Sequence, residues 1–311
     1  MPRLVLAATL PLALAGLGCA RSPSSASQAA PLLPPASAAP LPAAPAAPAA
    51  SVSPASSAEL VGSATLVGSA TLVGSATPPW PPPPPEARSD FCIEGVDALD
   101  ESACYVLPDA PTDELLIYLH GIVPPTKSSR QKTNLENVVK ASARRAGVAA
   151  LLPRGRVGLA PKGYDGWWGW PTSRAAYRAL AGDIVAELGA KRADLEALVG
   201  RKFQRVYLAG SSSGAYFATA LMVQHGLPAD GYAFISGAAD RPDADLAALP
   251  RAPVYIGFGT RDTVGEAARA LGARLTRAGF VVQVAAHPLP HGTAEVYVDE
   301  AIAHFRAASA Q

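Results

Sequence analysis

Short apolar runs alternate with longer helical patterns from about residue 103 to residue 308. LLIYLHG at residues 115–121 and VYLAG at residues 206–210 are continuous apolar runs that end in glycine. Such runs are typical of strands buried on both faces of a sheet. Because helical segments lie between them, the pattern predicts an α/β fold with a doubly wound, mostly parallel sheet. No long insertion separates the later strands, so we expect no large cap domain.

The ends of this pattern define the predicted folded domain, residues 91–311. ACYVLP at residues 103–108 is the predicted first strand, and the predicted last helix spans residues 293–308. Thr293 is placed to act as the N-cap of that helix, because a threonine hydroxyl accepts a hydrogen bond from the first helical turn.

The chain begins with the features of an export signal, predicted over residues 1–19. Arg3 supplies a positive start, and the apolar run that follows is too short for a membrane span. The run ends in LAGLGCA, which resembles a bacterial lipobox, with Gly16 where the lipobox prefers leucine. This resemblance implies lipidation of Cys19. The alternative is an ordinary signal peptide whose removal takes Cys19 with it.

Residues 20–90 are rich in alanine, proline and serine and lack the periodicity of a helix or strand. LVGSAT occurs three times in tandem, at residues 60–65, 66–71 and 72–77, and PPWPPPPP follows. Such a segment buries too little surface to offset the entropy of ordering. We therefore predict a disordered tether.

The net charge of +1, with no basic patch, gives no reason to expect a nucleic-acid partner.

The sequence LAGSSSGAYFA, residues 208–218, lies between a predicted strand and a predicted helix. A strand, a sharp turn containing G-x-S-x-G and a helix form the nucleophile elbow of α/β-hydrolases. Only Ser212 of the three serines has glycine two residues before and two residues after it, at Gly210 and Gly214. The spacing therefore identifies Ser212 as the candidate nucleophile.

A serine hydroxyl needs a base to accept its proton, and in this fold the acid and the histidine follow the serine in that order. Of five histidines, His291 lies in the loop before the last helix, and we prefer it to His287, which is closer to a strand end. Asp262 follows the strand PVYIGFG and is the preferred acid. Asp240, after the preceding strand, is the alternative.

The motifs YLHG, GSSSG, GTRD and PHG occur in the order found in the α/β-hydrolase superfamily, which the chain resembles over residues 103–308. Within it, they are similar to small esterases grouped with phospholipase/carboxylesterase and dienelactone-hydrolase-like proteins. The dienelactone hydrolases proper have cysteine at the elbow, where this chain has serine. The resemblance implies an oxyanion hole formed by the backbone N–H groups of Ile122 and Ser213.

The chain has three cysteines, an odd number for an exported protein. If Cys19 is acylated, Cys92 and Cys104 remain to form a disulfide, as suits an oxidising compartment. The alternative is that they are two separate buried thiols.

YDGWWGWP at residues 164–171 holds three of the four tryptophans. It follows a strand, and ligands bind at the carboxyl ends of parallel strands, so Trp167, Trp168 and Trp170 are candidate substrate-binding residues. Alternatively, they pack as a small satellite core.

Taken together, these features predict an exported serine hydrolase that cleaves small-molecule carboxylic esters through an acyl-enzyme. We expect a lipid anchor in the outer membrane or at the cell surface, or otherwise a periplasmic or secreted protein. No metal or cofactor is expected, because no histidine and carboxylate cluster has ligand spacing. The alternatives are a serine peptidase of the prolyl-oligopeptidase type and an inactive surface-binding lipoprotein. The oligomeric state is left open.

Overall fold

The computed structural model describes residue 80 and residues 91–126, 129–224, 226–238 and 244–310. The predicted export signal, Cys19, the LVGSAT repeats and Asp240 lie outside the described residues. Within the predicted tether, Trp80 is described. Its indole N–H donates to the carbonyl of Pro108 at 2.8 Å, and the Arg201 guanidinium lies 5.3 Å from its ring.

The predicted sheet is present, and the described residues contribute eight strands to it: β1 Asp97–Asp100, β2 Ala103–Val106, β3 Glu114–Leu119, β4 Ala149–Pro153, β7 Arg205–Ser211, β8 Gly231–Ile235, β9 Val254–Gly259 and β10 Val282–His287. Their order across the sheet is β1-β2-β4-β3-β7-β8-β9-β10. The strands β3, β4 and β7 to β10 pair in parallel, whereas β1 and β2 form an antiparallel edge beside β4.

Successive residues of a strand point to opposite sides of the sheet, and the central strands are largely apolar. Both faces of the sheet are therefore apolar, and helices cover each of them. The helices are α1 Arg130–Ala146, α2 Arg174–Val199, α3 Ser213–Val223, α4 Gly265–Arg277 and α5 Glu295–Ser309. On β3, Leu115, Ile117 and Leu119 belong to the apolar core that includes residues of α2, α3 and α4, whereas Leu116 and Tyr118 belong to the core that includes residues of α1 and α5. No helix in these described segments is long and apolar enough to cross a bilayer.

Three local predictions differ from the structure. A strand precedes the predicted first one, because Asp97–Asp100 pairs with β2 although it lacks an apolar pattern. A short hairpin, β5 Arg156–Val157 with β6 Trp168–Gly169, was not expected. Thr293 is not the N-cap of α5: Ala294 occupies that position without a side-chain bond, and the Thr293 hydroxyl lies 3.0 Å from that of Tyr118.

Candidate active site

The turn between β7 and α3 is strained at Ser212, which has φ 51° and ψ −118°. A non-glycine residue with this sign of φ is uncommon and carries a conformational cost. A Cβ at Gly210 would lie 2.5 Å from the backbone of Gly214, and one at Gly214 would lie 2.2 Å from the Leu119 carbonyl oxygen. Both positions therefore require glycine, and the close approach makes the turn sharp.

The turn distinguishes Ser212 from its two serine neighbours. Ser211 is the last residue of β7 and is 2% exposed, and Ser213 is the first residue of α3 and is 3% exposed. Ser212 is half-buried, and both Ser212 and Ser211 line a cavity of about 590 Å³, so the greater exposure of Ser212 is what distinguishes it. Because Ser213 starts a helix, its backbone N–H belongs to the first turn, which has no intrahelical acceptor.

Asp262 and His291 are brought together from loops that follow neighbouring parallel strands. The Asp262 Oδ2 lies 2.8 Å from the His291 Nδ1, and the other carboxylate oxygen accepts from the Val264 N–H at 3.2 Å. The Asp262 side chain is 2% exposed and that of His291 is 50% exposed. With Nδ1 bound to the carboxylate, Nε2 is the ring nitrogen left for a substrate or nucleophile. His291 lines the same cavity as Ser212.

The loop carrying His291 is anchored by Ser236, at the carboxyl end of β8. The Ser236 hydroxyl donates to the Gly292 carbonyl at 2.9 Å and accepts from the Gly292 N–H at 3.2 Å. Ser236 is fully buried and has φ 48°, and Gly292 has φ 143°, so both adopt backbone conformations that side chains disfavour. These bonds fix the backbone immediately after the imidazole. Ser236 was not predicted from the sequence.

Tyr118, on β3, makes a second link to the same loop. Its buried hydroxyl lies 3.0 Å from the Thr293 hydroxyl and also hydrogen-bonds the Ser211 side chain. Burial raises the pKa of Tyr118 to about 12, so the hydroxyl stays neutral near physiological pH. The residue therefore joins the loop after β10 to the strand that leads into the turn at Ser212.

The loop after β3 approaches Ser212 closely. A Cβ at Gly121 would lie 3.2 Å from the Ser212 Cβ, and Ile122 lines the cavity beside it. His120 supports this loop from inside: its Nδ1 donates to the Gly121 carbonyl, and its Nε2 accepts from the Gly155 N–H at 2.8 Å. Both bonds are satisfied by one neutral tautomer, and burial lowers the pKa of His120 to about 4.

The three candidate tryptophans separate in the structure. Trp167 lines the cavity together with Tyr164, and their ring centroids are 4.8 Å apart. Trp168 packs edge-on against Phe91 at 5.3 Å, and Trp170 is 1% exposed. The aromatic segment thus contributes both to the cavity and to the core, and Trp168 and Trp170 do not line the cavity.

Other histidines and acids that follow Ser212 in the chain have separate surroundings. His287 Nε2 lies 3.1 Å from a Glu300 carboxylate oxygen, and His304 Nε2 lies 3.3 Å from the Val281 carbonyl. Asp245 caps a short 3-10 helix at residues 246–248. Among the residues that the structure covers, no group of three or more histidine, cysteine or acidic side chains is arranged to hold a metal ion.

No protein-family model and no curated protein match the sequence. Solved structures do match it. The carboxylesterase of Bacillus cereus superposes with a TM-score of 0.51 at 18% identity, over 66% of this chain and 93% of that one. Esterase PE8 superposes with a TM-score of 0.48 at 20% identity, over 66% of this chain and 98% of that one. A carboxylesterase of Mesorhizobium loti superposes with a TM-score of 0.46 at 24% identity, over 64% of this chain and 90% of that one. The chain has the α/β-hydrolase fold.

In this α/β-hydrolase fold the candidate residues share one edge of the sheet. Ile122 follows β3 and Ser212 follows β7, two parallel neighbours, and the loops after β9 and β10 supply Asp262 and His291. β4 pairs with one edge of β3, and β7, which comes later in the chain, pairs with the other edge. The strand order therefore reverses direction at β3. Ligands bind outside the carboxyl ends of strands at such a point.

Proposed function

We propose that this protein is a serine hydrolase that cleaves carboxylic esters, with Ser212 as nucleophile and His291 as general base. The observation that supports it most is the 2.8 Å contact between Asp262 and His291, whose imidazole lines the cavity that also contains the strained Ser212. A carboxylate that accepts the Nδ1–H fixes the tautomer in which Nε2 can take a proton.

In the proposed reaction, the Ser212 oxygen bonds to the ester carbonyl carbon while its proton passes to His291 Nε2. The carbonyl π electrons move to oxygen, where the N–H groups of Ile122 and Ser213 stabilise the negative charge. Collapse of this intermediate breaks the bond to the alkoxy group, which leaves with the proton from Nε2. Water then attacks the acyl-enzyme by the same route and releases the acid, restoring Ser212.

Hydrolysis of p-nitrophenyl esters by wild type and by two variants tests this function. Ser212→Ala should lower kcat at least about a thousandfold, and Asp262→Asn should lower it by about a hundredfold to ten-thousandfold. Circular dichroism spectra should match that of wild type. A well-folded wild type that cleaves no ester would point to a binding module, and cleavage of peptide anilides in preference to esters would point to a peptidase.

We also propose that the catalytic domain is exported and tethered to a membrane by a lipid on Cys19. The proposal rests on the lipobox-like LAGLGCA and on the alanine-, proline- and serine-rich residues that follow. Mass spectrometry of the mature N-terminus, with and without globomycin, tests it. A mature chain that begins at acylated Cys19 supports the anchor, whereas an unmodified N-terminus beyond Cys19 contradicts it.

A further inference from the structure

Two amide side chains line the cavity at the start of α1. Gln131 and Asn134 are three residues apart, so they lie on one face of the helix, and both are exposed. An amide presents two N–H donors and a carbonyl acceptor. It therefore matches a hydroxyl group, which also donates and accepts.

The cavity also has an aromatic part. Tyr164 is 45% exposed and packs against Trp167 edge to face, with an angle of 82° between the rings. Exposed aromatic rings of this kind cover the apolar face of a ligand, while the tyrosine hydroxyl remains free to form polar contacts.

None of the described residues around the cavity is an aspartate, glutamate, lysine or arginine. The two arginines that follow β4 are occupied elsewhere. The Arg154 guanidinium lies 5.3 Å from the Trp168 ring, and Arg156 pairs with Glu187 at 2.5 Å. An anionic ligand would therefore lose its hydration without gaining a cationic partner from these residues.

The cavity lining also includes apolar side chains, among them Ile122, Leu289 and Pro290. These side chains suit an apolar acyl group, whereas an alkyl chain that extended along α1 would remove water from the two amides without replacing their hydrogen bonds.

From this arrangement we infer that the substrate is an ester of a neutral, polyhydroxylated alcohol, either a sugar or a polyol. Its hydroxyl groups bond Gln131 and Asn134, and its C–H face packs on Tyr164 and Trp167. This substrate class presupposes the hydrolytic site proposed above. A site that hydrogen-bonds a substrate hydroxyl discriminates strongly against analogues that lack it.

Matched pairs of acetate esters test the inference on the full-length protein. Methyl 6-O-acetylglucoside is compared with cyclohexylmethyl acetate, which has the ring but no hydroxyls, and glycerol 1-acetate is compared with propyl acetate. We expect kcat/KM to be at least about tenfold higher for the hydroxylated member of one pair. A preference in the first pair identifies a sugar, and a preference confined to the second identifies a polyol.

Two variants of the same helix assign the preference to the cavity wall. Asn134→Leu should reduce the glucoside-to-cyclohexylmethyl ratio, or the glycerol-to-propyl ratio, about fivefold to tenfold, the worth of one or two neutral hydrogen bonds. Asn137→Leu is the control, because Asn137 is exposed on α1 but outside the cavity lining, and it should leave both ratios at the wild-type value.

The outcomes separate the inference from the proposed function. Cleavage of p-nitrophenyl acetate with no preference in either pair overturns the substrate class and leaves the hydrolase intact. Equal ratios for Asn134→Leu and wild type also overturn it. Failure to cleave p-nitrophenyl acetate or any of the four acetates contradicts the proposed function itself.

Discussion

The Ser236 hydroxyl makes two hydrogen bonds to one residue, donating to the Gly292 carbonyl at 2.9 Å and accepting from its N–H at 3.2 Å. Gly292 follows His291 directly, so the end of β8 fixes the imidazole loop, while Asp262 orients the ring from the loop after β9. Hydrogen bonds therefore fix both the backbone next to His291 and the orientation of its side chain. Ser236 is a positioning residue in this arrangement.

Ser236→Ala removes both hydrogen bonds and keeps the Cβ. We expect kcat for ester hydrolysis to fall about tenfold with KM within twofold, and the free energy of unfolding to fall by about 1–2 kcal/mol. Ser309→Ala is the control, because the Ser309 hydroxyl donates to the Phe305 carbonyl at the end of α5 and Ser309 does not line the cavity. It should leave kcat unchanged. Equal kcat values for wild type and Ser236→Ala would exclude the positioning role.

Gly210→Ala should prevent formation of the turn at Ser212, because the new Cβ would lie 2.5 Å from the Gly214 backbone. Both groups in this contact belong to the main chain, so the clash can be relieved only if β7 and α3 move apart. We expect little soluble protein and a loss of several kcal/mol of stability in any that is recovered. Gly182→Ala, on α2 with open space around it, is the matched control and should stabilise the protein by about 0.5–1 kcal/mol. Similar melting temperatures for the two variants would contradict the close packing of Gly210 against Gly214.

Stability should decrease as the pH falls below 6.5, in part because His120 is buried and neutral. Its pKa is lowered from 6.5 to about 4, so between these pH values the unfolded chain binds a proton that the folded protein does not. Above pH 6.5 His120 is neutral in both states. As the pH falls towards 4, protonation of the unfolded chain lowers the free energy of unfolding by roughly 3 kcal/mol. Urea unfolding at pH 7.5, 5.5 and 4.5 measures it. His120→Gln should show a shallower dependence, and an identical slope in both proteins would exclude His120 as the cause.

The structure contains the predicted Cys92–Cys104 disulfide, and replacing both cysteines with serine should destabilise the protein. The bridge joins residues separated by 12 positions, and the chain-entropy model predicts about 3 kcal/mol for a loop of this size. The adjacent Phe91 ring lies 5.3 Å from that of Trp168 and 6.1 Å from that of His120, so this edge of the domain should become less ordered. Chemical denaturation of the double variant and wild type measures the difference. Equal midpoints would show that the bridge contributes little.

Much of the fold follows from local sequence patterns. The central strands are continuous apolar runs with longer helical segments between most of them, so the alternation predicts the parallel sheet. The strand Asp97–Asp100 escaped prediction because it is a half-exposed edge strand that depends on pairing with β2 for its conformation. Thr293 illustrates a tertiary contact that overrides a local preference, since its hydroxyl meets Tyr118 instead of capping α5.

The candidate site was predictable where backbone geometry constrains residue type. Glycine spacing identifies Ser212 as the candidate nucleophile. Chain order together with loop position favours Asp262 and His291, and the structure brings these two side chains together. Ser236 and Tyr118 were not predictable in this way, because each acts through a contact with a loop more than 50 residues away along the chain. Their one local signal is a polar group at or near the carboxyl end of a buried strand. Trp168 and Trp170 could not be distinguished from Trp167, because side-chain direction in a loop depends on tertiary packing.

The most direct test of Ser212 as nucleophile is to label the intact protein with a fluorophosphonate and map the modified residue by peptide mass spectrometry. We expect one phosphonyl group, located on Ser212 and absent from Ser212→Ala. Labelling of Ser211 or Ser213, or a folded and unlabelled wild type, would contradict this assignment.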